Sequence, residues 1–186
     1  MNKAQHNKSS LFLMELIISI LFFSVAGAVC VQLFVKGHLV SKKSTDINNS
    51  CLWTQNICEV FWGEKGNFHE IADFYSDNAV VLESDENDPD VGIIVLFFDN
   101  DWQIIDFPSA DNAAANAAYE VMLKTSRQPA AEVYADTSYD TSKMSGDAIL
   151  GEIAVLSVPA GEIEENFPDS DDENVISYRT TDYYIN

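Results

Sequence analysis

The sequence predicts an α+β protein: one long N-terminal helix, membrane-spanning in its first half, packed through its second half on an antiparallel β-sheet. Three observations carry this. Residues 11–35 form an unbroken apolar run. Apolar side chains then recur every three or four positions as far as Trp62, the signature of an amphipathic helix. Beyond Gly66 the period changes to short β-branched and aromatic runs separated by polar turns, as in hairpin-connected strands. The 186 residues suffice for one domain plus that helix, and no repeat or second domain is visible.

Taken in order, residues 1–10 are a short basic leader, MNKAQHNKSS. Residues 11–35, LFLMELIISILFFSVAGAVCVQLFV, hold one charge, Glu15. As a helix they span roughly 37 Å, enough to cross a hydrocarbon core of about 30 Å. A second basic patch follows at Lys36, Lys42 and Lys43, so the positive-inside rule gives almost no orientation. Residues 36–62 continue the helix. Ile47, Cys51, Thr54, Cys58 and Phe61 make one row, with Trp53, Ile57 and Val60 beside it, and Gly63 and Gly66 end it. The competing arrangement is two helices, broken at Gly37 or at 46–50. The Trp and Cys stripe reads as core packing rather than as a cofactor box.

Residues 63–186 form the β-rich domain. AVVLE (79–83) is a short strand and SDENDPD (84–90) a polar loop. VGIIVLFF (91–98) is a buried strand, and after the turn Asp99-Asn100-Asp101 the chain returns as a strand over 102–107. DNAAANAA (111–118) reads as a loop or a short helical turn. YEVMLKT (119–125) alternates as a strand does. Residues 126–146 form a long polar surface loop. ILGEIAVLSV (149–158) is a further strand, closed by Pro159 and Gly161, and 175–180 with 183–185 complete the sheet.

Charge divides the chain sharply. Up to Lys43 there are five basic residues and one acid; from Ser44 onward there are 29 acids and five bases, a net −24. Such a domain repels phosphate backbones and anionic headgroups, which argues against nucleic-acid binding. Its acidity suits solubility outside the cytoplasm, and the expected location is a single-pass membrane protein with an extracytoplasmic C-terminal domain. Cys30, Cys51 and Cys58 include no CxxC pair. On one helix, Cys51 and Cys58 stand roughly 10 Å apart along the axis, too far for a disulfide. They read as buried thiols.

The run at 11–35 admits several readings: a cleaved secretory signal ending at Ala26-Gly27-Ala28, a lipoprotein signal with Cys30 acylated, or a plain single-pass anchor. None of them accounts for Glu15, since a carboxylate at membrane depth costs about 2.5–3.5 kcal/mol. In a plain anchor it would snorkel to the interface. The segment resembles the N-terminus of type IV prepilins and type II secretion pseudopilins: a basic leader, a cleavage point, then an apolar helix with glutamate fifth. Leu11-Phe12-Leu13-Met14-Glu15-Leu16 follows that pattern, although Ser10 stands where the family usually has glycine. The resemblance implies cleavage between Ser10 and Leu11. It also implies that Glu15 pairs with the new α-amino group of a neighbouring subunit. The partners implied are other pilin-like subunits and a membrane assembly platform.

No enzymatic motif competes. His6 lies in the leader and His38 just past the apolar run, and His69-Glu70 lacks the second histidine of HExxH. GxSxG, GxGxxG and GxxxxGK[ST] are absent, and no cofactor is implied. Asp169, Asp171 and Glu173 alternate as in a calcium loop, but Asn174 and Thr180 stand where that loop needs Gly and Glu. The expectation is therefore a structural, non-enzymatic subunit. The alternative is an anchored acidic binding domain that does not polymerise.

Overall fold

The computed structural model describes residues 3–85, 88, 90–106, 115–135, 144–158, 163–164 and 166–185, with side chains from Ser10 onward. Two compact units are present, Met1–Thr45 and Asp46–Asn186. Helix α1 (Lys3–Gly63) runs without interruption from the first into the second. Neither break happens. A single glycine such as Gly37 costs a helix only about 1 kcal/mol. At the other position Ser50 Oγ donates back to the Ile47 carbonyl at 2.8 Å, within the helical turn.

The helix ends where predicted. Lys65 and Gly66 take positive φ of 58° and 76°, and the Gly66 N–H closes on the Phe61 carbonyl at 2.8 Å. A Cβ at Gly66 would stand 3.0 Å from Ile149 Cδ1, so glycine is required on both grounds. Helix α2 (Phe68–Phe74) follows at once. Its N-cap is Asn67, whose Oδ1 accepts from the Glu70 N–H at 3.1 Å.

In the second unit the described strands form one sheet in chain order, β1-β2-β3-β4-β5, every pair antiparallel. They are β1 (Ala79–Ser84), β2 (Gly92–Phe98), β3 (Tyr119–Pro129), β4 (Asp147–Ser157) and β5 (Val175–Ile185). One face packs on the end of α1 and on α2. There Ile57, Phe61, Phe68, Ile71 and Tyr75 meet Ile94, Leu96, Phe98, Val121, Leu123, Ile149, Ile153 and Val155. The α+β arrangement is thus as expected: a long N-terminal helix on an antiparallel sheet.

The helix face that packs differs by one row. Ser50, Thr54, Ile57 and Phe61 are buried, whereas Ile47 and Cys51 are exposed and Cys58 is only half-buried. Thr54 and Phe61 belong to the predicted row; Ser50, small and polar, is the position that an apolar period does not register. The thiols of Cys30 and Cys51 are likewise exposed rather than buried.

Three strand predictions change. Residues 102–106 do not return as a strand; they make a single bridge, Phe98↔Ile104, and Phe107 lies outside the described residues. The cause is that β1 already occupies that edge of β2 as far as Leu96, leaving only Phe97 and Phe98 for the returning chain. Second, 126–129 belong to β3, pairing with 147–150, and a short helix α3 (Ala130–Val133) follows; 136–143 lie outside the described residues. Third, 175–185 are one strand, not two. Of 111–118, residues 111–114 lie outside the described residues and 115–116 are helical. The same holds for 86, 87 and 89 in the loop after β1, and for Pro159 and Gly161.

The second sheet face carries its own core. Ile93, Val95, Phe97, Met122 and Leu156 are covered by Ala117, Ile105, Ile163 and Phe167. This is why all seven residues of β2 are buried, and why its sequence does not alternate.

Candidate membrane anchor and assembly site

Among the residues with described side chains, 10–45, the first unit is a helix exposed at every position. Its apolar residues are open along 11–35, with Phe23 at 84% and Phe34 at 80% exposure. It is long and apolar enough to cross a membrane. Its polar residues are quiet: Ser19 Oγ donates to the Glu15 carbonyl and Ser24 Oγ to the Ile20 carbonyl, both at 2.8 Å. Bonded back to the helix in this way, the two hydroxyls add little polarity to the helix surface. Glu15 is the one charged side chain of the run. Among the described residues it has no ion-pair partner, and it lies one helical turn beyond Leu11. Ser10 and Leu11 are exposed and lie inside α1. The rest of the leader has no described side chains.

The second unit begins with a fixture that sequence reasoning missed. Asp46 Oδ1 accepts from Trp102 Nε1 at 3.1 Å and from the Tyr119 hydroxyl at 2.7 Å. The two rings stack, centroids 4.0 Å apart and 17° between planes. Trp53 lies 4.6 Å from Phe98 alongside. Trp102 holds a left-handed φ of 60°, a strained setting for a bulky residue, in a turn where Asp99 Oδ1 accepts from the N–H groups of Asp101 and Gln103. Burial, with the Asp46 carboxylate beside it, pushes the Tyr119 phenol up to about 12. The cluster ties the start of this unit's helical segment to one end of β3.

A second missed residue is Glu120. It points into the other core, fully buried, between its cross-strand partners Phe97 and Leu156. Both carboxylate oxygens accept from the Glu164 backbone N–H, at 3.1 and 3.2 Å. Burial raises its pKa to about 7. Further along the same face Lys124 pairs with Glu152 at 3.4 Å and lies 5.5 Å from the centre of the Phe167 ring. A buried glutamate inside an alternating strand gives no signal in one sequence, because it occupies a position where either polarity is ordinary.

Arg127 joins three acids near the start of β4. It bonds Asp88 at 2.9 Å and Asp90 closely, and reaches Asp147 at 3.8 Å. The hydrogen bond from Arg127 holds the Asp88 carboxyl below its ordinary range, while burial outweighs the arginine and pushes Asp90 up. Asp88 and Asp90 are thus held by the Arg127 guanidinium. Asp169 to Glu173 form turns, with the Asp169 N–H donating to Asp172 Oδ2. Among the described residues no group of three or more His, Cys, Asp or Glu is placed to hold a metal ion. Compared with known proteins, the chain matches no family model, no curated protein and no solved structure.

Proposed function

We propose that this chain is a minor pilin or pseudopilin-like subunit. It polymerises, or primes polymerisation, through α1 in a type IV pilus or type II secretion-like system, with its acidic domain outside the cytoplasm. The observation that carries the reading is Glu15: a lone carboxylate on an otherwise apolar, uncovered helical stretch, one turn beyond Leu11. A carboxylate at that depth calls for a cation, and removal of residues 1–10 would create one, the α-amino group of Leu11 on a neighbour. In this reading Ser10-Leu11 is the processing point, Glu15 sets the axial register between subunits, and the chain has no enzymatic role.

The test is Glu15→Leu, read by cross-linking through a cysteine placed at Ile18, with Cys30, Cys51 and Cys58 replaced by alanine. Removing one side of a buried ion pair costs about 3–5 kcal/mol, several hundred-fold or more in association. Membrane level should hold while cross-links to neighbouring pilin-like subunits collapse. Cross-linking equal to that of the parent would leave Glu15 a snorkelling residue and the protein an anchored acidic domain that does not polymerise.

A further inference from the structure

The two outer strands of the sheet are treated very differently. β1 has six residues, a register break between Val81 and Glu83, and a charged side chain at that break. These are the usual protections of an edge. β5 carries less of this: its one register break lies at its start, opposite Val155 and Leu156, and its charged side chains are one base and one acid, Arg179 and Asp182. It is 11 residues long, without proline, and residues 177–185 pair one for one with 147–155 of β4 in unbroken register. None of its residues is buried. Among the described residues nothing pairs with its outer side, so every second residue there directs an N–H and a C=O outward.

The edge is also flanked by aromatic side chains on both faces. On the helix side Trp62 is 57% exposed, donates through Nε1 to Thr181 Oγ1 at 2.9 Å, and meets Tyr183 edge-on at 6.0 Å. On the other side stand Tyr178, bonded to Glu152, and Tyr184, with Tyr134 bonded to Asp182. Trp and Tyr are the side chains that most often anchor protein interfaces. Charge then selects the occupant. A second copy would bring one −24 domain against another, which like-charge repulsion opposes. A strand with lysine or arginine at alternate positions would instead reach Asp182 at cross-strand distance, with Glu152 one strand further in on the same face.

We infer that the outer edge of β5 is a docking site for an extended basic segment of a different protein. The segment adds as a sixth strand: its backbone completes the ladder, its apolar side chains lie against Trp62 and Tyr183, and its basic ones face Asp182. This does not depend on α1 polymerising.

The test uses the full chain in detergent micelles with three blocked nine-residue peptides: alternating Val and Lys, alternating Val and Glu, and the Val–Lys peptide with a central proline. Binding is measured by titration, and backbone amide exchange of β5 is followed residue by residue. The Val–Lys peptide should bind and protect alternate amides of 177–185. The Val–Glu peptide should bind at least about tenfold more weakly at low salt. Trp62→Ala should weaken Val–Lys binding about tenfold, and Asp182→Lys should narrow the preference for the Val–Lys over the Val–Glu peptide. No binding would overturn the proposal. So would equal binding of the proline peptide, which marks mere adhesion to an acidic surface. Protection of alternate β5 amides without peptide, growing with protein concentration, would show that a second copy is the occupant and would equally overturn it.

Discussion

Glu120→Gln tests how the second core is built. The carboxyl is fully buried between Phe97 and Leu156, and burial raises its pKa from the ordinary 4.5 to about 7. A folded value above the unfolded one means that the protonated form suits the fold. Its contribution is therefore fully present below about pH 4.5, declines as pH rises, and is gone above about 7. At about 1.36 kcal/mol for each tenfold change in proton affinity, the charged form costs about 3 kcal/mol at pH 8. Glutamine keeps one oxygen for the Glu164 N–H and cannot ionise. The variant should match the parent near pH 4 and exceed it by about 2–3 kcal/mol at pH 8. Urea unfolding of both proteins in the same detergent, from pH 4 to 8, supplies the difference, and the many surface acids cancel in the subtraction. A difference that stays constant with pH would show that Glu120 is ionised, or solvated, in the fold across the whole range.

Other perturbations probe separate points. Gly92→Ala would drive a Cβ into the Phe68 ring and to 2.7 Å from the Glu83 carbonyl; a loss of about 1–3 kcal/mol is expected in the same unfolding assay. Thr54 buries a hydroxyl that has no partner among the described residues, so Thr54→Val should stabilise by about 1 kcal/mol. Asp46→Ala should cost about 1–3 kcal/mol by stranding the Trp102 and Tyr119 donors. In that variant Tyr119 should titrate below about 12 yet above 10, followed by ring-proton NMR, because burial, the larger cause, remains.

Much of the fold was legible because its signals are local. The apolar run 11–35, the helix stop at Gly66 and the unbroken GIIVLFF of β2 each announce themselves within a few residues. What was missed depends on distant partners. Residues 102–106 have the composition of a strand, but whether they pair depends on β1 holding the neighbouring edge. Ser50 faces the interior while looking like a surface residue. Asp46 and Glu120 are two acids among 30, and only the fold separates them from the solvated remainder. In the first unit, Glu15 stands out in the sequence because a charge is conspicuous against lipid-like surroundings, as it would not be in the domain.

The sheet order has a consequence for the order of synthesis. Each strand pairs with its predecessor in the chain, so every ladder can close as soon as its second strand is made, without waiting for a distant segment. The second face needs the cover near Ile163 and Phe167, which precedes only β5. The last strand then brings Thr181 to Trp62, a contact spanning 119 positions, as one of the longest-range fastenings of this unit. A ribosome stalled before β5 would leave four paired strands with β4 as an open edge. Loss of the C-terminal strand should therefore expose Ala154 and Leu156 of β4 without dismantling the pairing among β1, β2 and β3.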